Sequence, residues 1–352
     1  MQPKVSIIIP CRNEVHFIVP CLDSILANDY QAHLVEILVI DGQSQDGTLE
    51  ILERYQKTHG IKILNNPKKI IPFALNMGIA HASGDILIRM DAHTTYDSGY
   101  ISNCVRALNS HPEVKIVGGV WITQSVKNTL ISHVIQRALS HPFGVGNAYY
   151  RVGLKSKRFT DVVSYFCCRK NLFDEVGYFN ELIERSEDID FNRRVLKKFG
   201  SKSILVLPEI KCFYSVPDTF LALIRKFYLN GYWAIFPMQK VGYLAVSLRH
   251  LIPLYFFTFI ILLSISALIS PFIFKFFLAL CFVYLFIDLI ISLTIDHKSF
   301  LFCVNLVFIF PLMHLAYGLG SFIAVMRLLV PQNFKKIYFL RKKIKKAGHE
   351  IP

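Results

Sequence analysis

The chain has 352 residues, is 53% hydrophobic and carries a formal net charge of +14. Its eight cysteines are scattered without a CxxC pair, which excludes the usual zinc spacings and a disulfide framework. The basic excess lies beside apolar stretches and not on a compact fold, which points to anionic lipid headgroups and away from nucleic acid.

In chain order, residues 5–9 form a short apolar run closed by Pro10. Helical spacing follows over 14–27, with Phe17, Ile18, Cys21, Leu22 and Ile25 on one side. A second apolar run at 35–40 ends in "DGQSQDGT", and 48–57 reads as helix. Strands are predicted at 61–64, 86–90 and 115–121, with helices at 71–82 and near 99–108. Continuous apolar strands alternating with amphipathic helices predict an α/β fold, a mostly parallel sheet with helices on both faces. In such sheets ligands bind beyond the carboxyl ends of the strands. That rule puts residues 10–14, 41–48 and 91–95 on one rim. Residues 122–160 are less regular, "VVSYFCCRK" is strand-like, and "NLFDEVGYF" starts a helix. "RSEDIDFNRRVLKKFG" is a helix that Ser186 can cap, with acids at its positive end and basic residues toward Gly200. Residues 219–240 read as an amphipathic helix at a membrane surface. Stretches 251–269, 272–295 and 300–329 are each long enough to span a bilayer. The last contains Pro311 and "HLAYGLG" and is expected to be broken or re-entrant, which would return the basic tail to the cytoplasm. The start of the chain enters a strand pattern at once, so no signal peptide is expected and the first domain should stay cytoplasmic.

Several residues on this rim suit chemistry. Asp91 and His93 are two apart, so at an extended strand end both point to one side and can share a divalent cation or a diphosphate. A turn cap and a surface histidine would give the same pair. Glu187 and Asp188 suit a general base for an attacking alcohol, and suit equally well simple charge complementation of a helix N-terminus. Asp41 can accept from a nucleobase N–H and Glu14 can reach ribose hydroxyls; the 41–48 loop is also made of ordinary turn formers. Neither GxGxxG nor GxxxxGK[ST] is found where a dinucleotide or P-loop site needs it.

The series "VSIIIPCRNE", "ILVIDGQSQDGT", "ALNMGIAHASGDILIRMDAHT", "VGG" and "ERSEDIDFNRRV" resembles, in that order, the family 2 inverting glycosyltransferases. It is similar in particular to their ExoA-like branch, succinoglycan glucosyltransferase-like proteins that show "DAH" in place of the usual Asp-x-Asp. The likeness runs over roughly residues 4–236. It implies a cytoplasmic GT-A type nucleotide-sugar-binding domain over 1–217 and an amphipathic membrane-interface segment over 218–250. It further implies a transmembrane region of two to three apolar segments over 251–329 and a basic tail over 330–352. Pro10, Glu14 and Asp41 match nucleoside-binding positions, Asn76 the "N-x-G" lining the sugar nucleotide, and Arg225 a position serving the diphosphate. Asp91 and His93 stand at the metal site, for Mn²⁺ or Mg²⁺. Asp188 matches the acceptor-deprotonating acid, with Glu187 beside it. A QxxRW motif is absent after that helix, so one sugar per visit is expected. The implied donor is UDP-glucose, the implied acceptor a polyprenyl-diphosphate-linked saccharide at the inner membrane, and the implied product a bacterial exopolysaccharide repeat. A transferase onto polyprenyl phosphate itself and an inactive membrane scaffold are the competing readings.

Overall fold

The computed structural model describes residues 2–244, 246–296 and 299–329; the basic tail expected over 330–352 lies outside these described residues. The order begins β1 (Val5–Cys11), α1 (Ile18–Leu26), β2 (Val35–Asp41), α2 (Thr48–His59), β3 (Lys62–Asn65) and α3 (Ile71–His81). It continues with β4 (Ile86–Arg89), β5 (Thr94–Tyr96), α4 (Tyr100–Ser110), β6 (Ile116–Gln124), α5 (Leu130–Leu139), α6 (Pro142–Val145) and α7 (Tyr149–Val152). Then come β7 (Arg158–Phe159), β8 (Cys167–Arg169), α8 (Leu172–Val176), α9 (Glu187–Phe199) and β9 (Ile204–Ser215). The chain closes with α10 (Phe220–Ile235), α11 (Met238–Val241), α12 (Ile252–Ala267), α13 (Pro271–Ile295) and α14 (Phe300–Leu329).

Among the described residues one sheet runs in the order β3-β2-β1-β4-β8-β6-β9-β5, with β7 on β9. The β3-β2-β1-β4 half is parallel, as the apolar runs require. β8 then enters antiparallel to both β4 and β6, and β5 pairs antiparallel with β9, so the complete sheet is mixed. Successive side chains of β1 enter opposite cores: Ile7 and Ile9 pack with α1 and α4 residues, Ile8 with Leu75 and Ile79 of α3. Helices therefore cover both faces.

β9 is the main element that residue patterning did not predict. "ILVLPEIKCFYS" is interrupted by Pro208 and Glu209 and reads as two fragments. In the fold its two parts share one partner. Register on β6 jumps between Gly119 and Val120, from Gly119↔Leu207 to Val120↔Lys211. A Cβ on Gly119 would lie 2.0 Å from the Ile210 carbonyl oxygen, so only glycine admits the bulge. Beyond it, Trp121 and Tyr214 stack with ring centroids 5.0 Å apart.

α12, α13 and α14 belong to three segments long and apolar enough to cross a bilayer, Leu248–Ala267, Pro271–Ile295 and Phe300–Leu329. α14 is one continuous helix with Pro311 inside it, so the expected break is not there. Packing explains the continuity: Phe310, Met313 and Ala316 are buried in the same core as α5 and the sheet. α10 lies along α14 at very close approach. A Cβ on Gly231 would meet the Tyr317 carbonyl oxygen at 1.9 Å, and one on Gly320 the Tyr228 carbonyl oxygen at 2.0 Å. Such small-residue contacts let helix backbones touch. α12 has no buried residue and α13 keeps most of its apolar side chains exposed, Phe272 at 79%, which suits a hydrocarbon environment.

Candidate functional site

The first two strand ends build one wall. β1 and β2 run in register to Cys11↔Asp41, so the loops that follow lie side by side. They lace together: Asn13 N–H donates to Ser44 Oγ at 2.9 Å, Gln45 N–H to Asn13 Oδ1 at 2.9 Å, and Glu14 N–H to Thr48 Oγ1 at 2.9 Å. Asn13 and Gln43 hold positive φ, 56° and 59°, in this loop pair. Asp41 is 4% exposed and accepts from Ser44 N–H at 3.1 Å and Ser44 Oγ–H at 2.5 Å. Pro10, paired with Ile40, fixes the strand before the turn.

The opposite wall starts at β4. The strand stops at Arg89, and Asp91 and His93 sit in a turn closed by Thr94 N–H to the Asp91 carbonyl at 3.2 Å. The two side chains therefore take different partners. His93 Nδ1 lies 3.3 Å from Glu14 Oε1, joining the metal and nucleoside candidates. Burial pulls the His93 pKa down, but Glu14, Asp91 and Tyr214 raise it above the ordinary imidazole value. Asp91 Oδ1 accepts from Arg89 Nε at 2.9 Å, and Arg89 Nη1 donates to Glu187 Oε1 at 2.9 Å. One buried guanidinium thus ties the end of β4 to the first residue of α9. Burial works against the charge on Arg89, and the two carboxylates more than restore it. Burial also pushes the Glu187 carboxyl up, to about 7, against the pull of Arg89 and with a further push from Asp188.

Asp188 is half-buried, and its Oδ2 accepts from Ser164 Oγ–H at 2.7 Å. Ser186 does not cap α9: it holds a left-handed φ of 69° and makes no side-chain cap bond. That turn aims Glu187 inward to Arg89 and leaves Asp188 at the rim.

Two of the sequence candidates stand apart from this cluster. Asn76 uses both amide ends on the Phe179 backbone, donating to its carbonyl and accepting from its N–H, each at 2.9 Å. Arg225 is on the exposed side of α10. Its neighbour Lys226 turns inward and hydrogen-bonds the Tyr214 hydroxyl. Arg151 of α7 packs its guanidinium 4.4 Å from the Trp121 ring centroid and 4.9 Å from that of Tyr214. Burial raises the Tyr214 pKa, but Lys226, Arg151 and His93 bring it down to about 7. Sequence reasoning missed Arg89, Arg151, Ser164, Tyr214 and Lys226. Arg89 alone carried a signal, a charge inside the fully apolar strand "ILIR".

Among the described residues no three His, Cys, Asp or Glu side chains form a metal cage. Asp91 and His93 nonetheless fit a Mg²⁺ or Mn²⁺ that takes its other oxygens from water and substrate phosphate, since such ions commonly use only one or two protein ligands. Their side chains are 17% and 35% exposed, open to the rim.

Residues 6–177 match the sequence model of glycosyl transferase family 2. A Methanococcus voltae protein, described as a dolichyl N-acetyl-alpha-D-glucosaminyl phosphate 3-beta-D-2,3-diacetamido-2,3-dideoxy-beta-D-glucuronosyltransferase, is 29% identical over 66% of this chain and 77% of its own. The succinoglycan biosynthesis protein ExoA of Rhizobium meliloti is 28% identical over 54% of this chain and 57% of its own length, so the match spans just over half of ExoA. Among solved structures, the mannosyltransferase PcManGT of Pyrobaculum calidifontis, in complex with GDP-Man and Mn²⁺, is 18% identical. It superposes with a TM-score of 0.60 over 91% of this chain and 87% of that one. The shared fold is the GT-A type nucleotide-sugar-binding fold.

Proposed function

We propose that this chain is a family 2 glycosyltransferase on the ExoA-like branch, and that it moves a single hexose, glucose from UDP-glucose, onto a polyprenyl-diphosphate-linked saccharide, with inversion at the anomeric carbon. The work is done at the cytoplasmic face of the inner membrane during cell-surface polysaccharide synthesis. The observation that carries the reading is the Arg89 bridge, which holds Asp91 and Glu187 in one charged unit next to Asp188. A transferase needs a diphosphate-handling group and a base in the same pocket, and this bridge joins Arg89 to Glu187 across 98 residues of sequence.

In this reading the nucleoside lies over Pro10, Glu14 and Asp41, while Asn76, held on the Phe179 backbone, and the exposed Arg225 take no part in the site. Asp91 and His93 hold the divalent ion, which supplies Lewis-acid neutralisation of the diphosphate charge. Asp188, oriented by Ser164, takes the proton from the acceptor hydroxyl as its oxygen attacks C1. Glu187 and Arg89 hold the local field and keep Asp91 pointed at the rim. The lipid-linked acceptor is supported by the Methanococcus voltae relative, described as a transferase acting on a dolichyl N-acetyl-alpha-D-glucosaminyl phosphate.

A second reading, transfer to a polyprenyl phosphate oxygen, is favoured by one feature: Arg151 and Lys226 have no carboxylate partner among the ion pairs of the described residues. A phosphate nucleophile needs no base. The test is nucleotide release from a panel of nucleotide sugars by the detergent-purified protein, with Mn²⁺, Mg²⁺ or chelator. One donor should turn over, metal-dependently. Asp188→Asn should lower the rate by about 10²–10⁴-fold, the usual worth of a positioned base, and Asp91→Ala should abolish metal dependence. Full activity of Asp188→Asn would transfer support to the phosphate-acceptor reading. A folded protein that turns over no donor, with polyprenyl acceptors present, would leave the scaffold.

A further inference from the structure

The aromatic-backed cations Arg151 and Lys226 have no role in the leading transfer mechanism. Arg151 Nη1 is buried and has no hydrogen-bond partner among the described residues. Its guanidinium is flanked by Trp121 and Tyr214, which leaves the N–H edge of the fork, not its faces, for a ligand. Lys226 Nζ lies 4.7 Å from the Tyr214 ring centroid, so two cations converge on one phenol from α7 and α10. Among the described residues no carboxylate lies within ion-pair reach of either. Cations partly withdrawn from water without a counter-ion are costly, and a ligand anion reduces that cost.

The location narrows the anion's source. α6, which leads into α7, is pinned to α14: His314 Nε2 is 2.8 Å from the Phe143 carbonyl, and a Cβ on Gly144 would lie 3.0 Å from Met313 Cε. Lys226 itself rides on α10, the helix packed along α14. The cations therefore sit where the sheet meets the apolar helices.

We propose that Arg151 and Lys226, backed by Trp121 and Tyr214, form a phosphate subsite at the junction of sheet and apolar helices, occupied by the phosphate of a lipid-linked acceptor. The assignment to a lipid phosphate rests on the transferase reading; the anion site itself does not. Arg151 donates from its free Nη1 edge and Lys226 supplies a point charge. The prenyl chain leaves along α14, and the attached saccharide reaches toward Asp188.

The test uses the 352-residue protein in detergent, titrated separately with farnesyl diphosphate and with UDP. Arg151→Gln and Lys226→Gln are each expected to weaken farnesyl diphosphate at least tenfold and to leave UDP within twofold. Arg151→Lys, which keeps charge but loses the stacked fork, should fall between. Loss of UDP binding alone would assign the subsite to the donor's diphosphate and overturn the acceptor assignment. Native-like binding of both probes by the doubly substituted protein, or no saturable farnesyl diphosphate binding by the natural chain, overturns the subsite. Thermal melting of each variant identifies misfolding, and Arg151→Lys then carries the test. Nucleotide-sugar turnover is measured on the same preparation, so its absence sinks the transferase reading while a farnesyl diphosphate response to Arg151 keeps the anion site.

Discussion

The two walls of the site are made differently. The wall at the ends of β1 and β2 is local: residues 10–14 and 41–48 come from two adjacent loops whose polar groups satisfy one another. The facing wall is assembled from β4, α7, α9, β9 and α10, and its charged groups are buried and paired across long separations or left open. The first can be built by turn chemistry. The second exists only if sheet, bulge and apolar helices are all in place. On the proposed function, nucleotide recognition falls to a self-sufficient unit, and the part that would face the acceptor depends on packing against the apolar helices.

The sharpest way to break the second wall is Arg89→Met, which strands Glu187 and Asp91 as buried or half-buried carboxylates. Removing one partner of a buried pair costs about 3–5 kcal/mol, so urea or thermal unfolding should show a large loss, and Arg89→Lys should recover part of it. Next in size is Gly231→Leu at the α10–α14 crossing. Overpacking there should cost about 1–3 kcal/mol, seen as a lower melting temperature in detergent and weaker farnesyl diphosphate binding, with UDP binding retained. If UDP binding fell equally, the two walls would not be separable.

Proton linkage gives two buried carboxylates opposite signs. At the start of β2, away from the rim, Glu36 is opposed by its own burial but held down to about 2 by Lys62, Ser6 and the Ser83 N–H. Its contribution is present above its ordinary value of 4.5 and is lost as pH falls toward 2. Glu187 is raised from 4.5 to about 7, so its contribution is complete below 4.5 and is lost as pH rises through 7. Melting curves of Glu36→Gln against the natural chain should therefore converge on acidification. Those of Glu187→Gln should gain on the natural chain as pH rises across its window. The same direction in both variants would break the contrast. The smallest effect is expected from Ser164→Ala, which removes one hydrogen bond to the half-exposed Asp188 and should cost about 1 kcal/mol in transfer rate or stability.

Much of the local wall was legible in the sequence. Apolar runs ending in "PCRNE" and "DGQSQDGT" put Glu14 and Asp41 on one rim, because parallel strands in register place their carboxyl ends together. The base candidate was legible as well, since acids crowd the N-terminus of α9. The Asp91–His93 pair was read at the right place but with the wrong local geometry: the strand ends at Arg89, and a turn separates the two side chains. Pro311 was read as a break, and the helix passes through it because neighbouring elements bury that turn of α14.

By itself the sequence determined the parallel half-sheet, the rim and the apolar character of the last third, because hydrophobic period and turn residues act over a few positions. Only the tertiary structure decided that Arg89 joins Asp91 to Glu187, that Tyr214 and Trp121 stack beyond the Gly119 bulge, and that Lys226 and not Arg225 faces inward. These depend on which elements meet, and electrostatic pairing across 98 residues leaves no periodic trace in the chain.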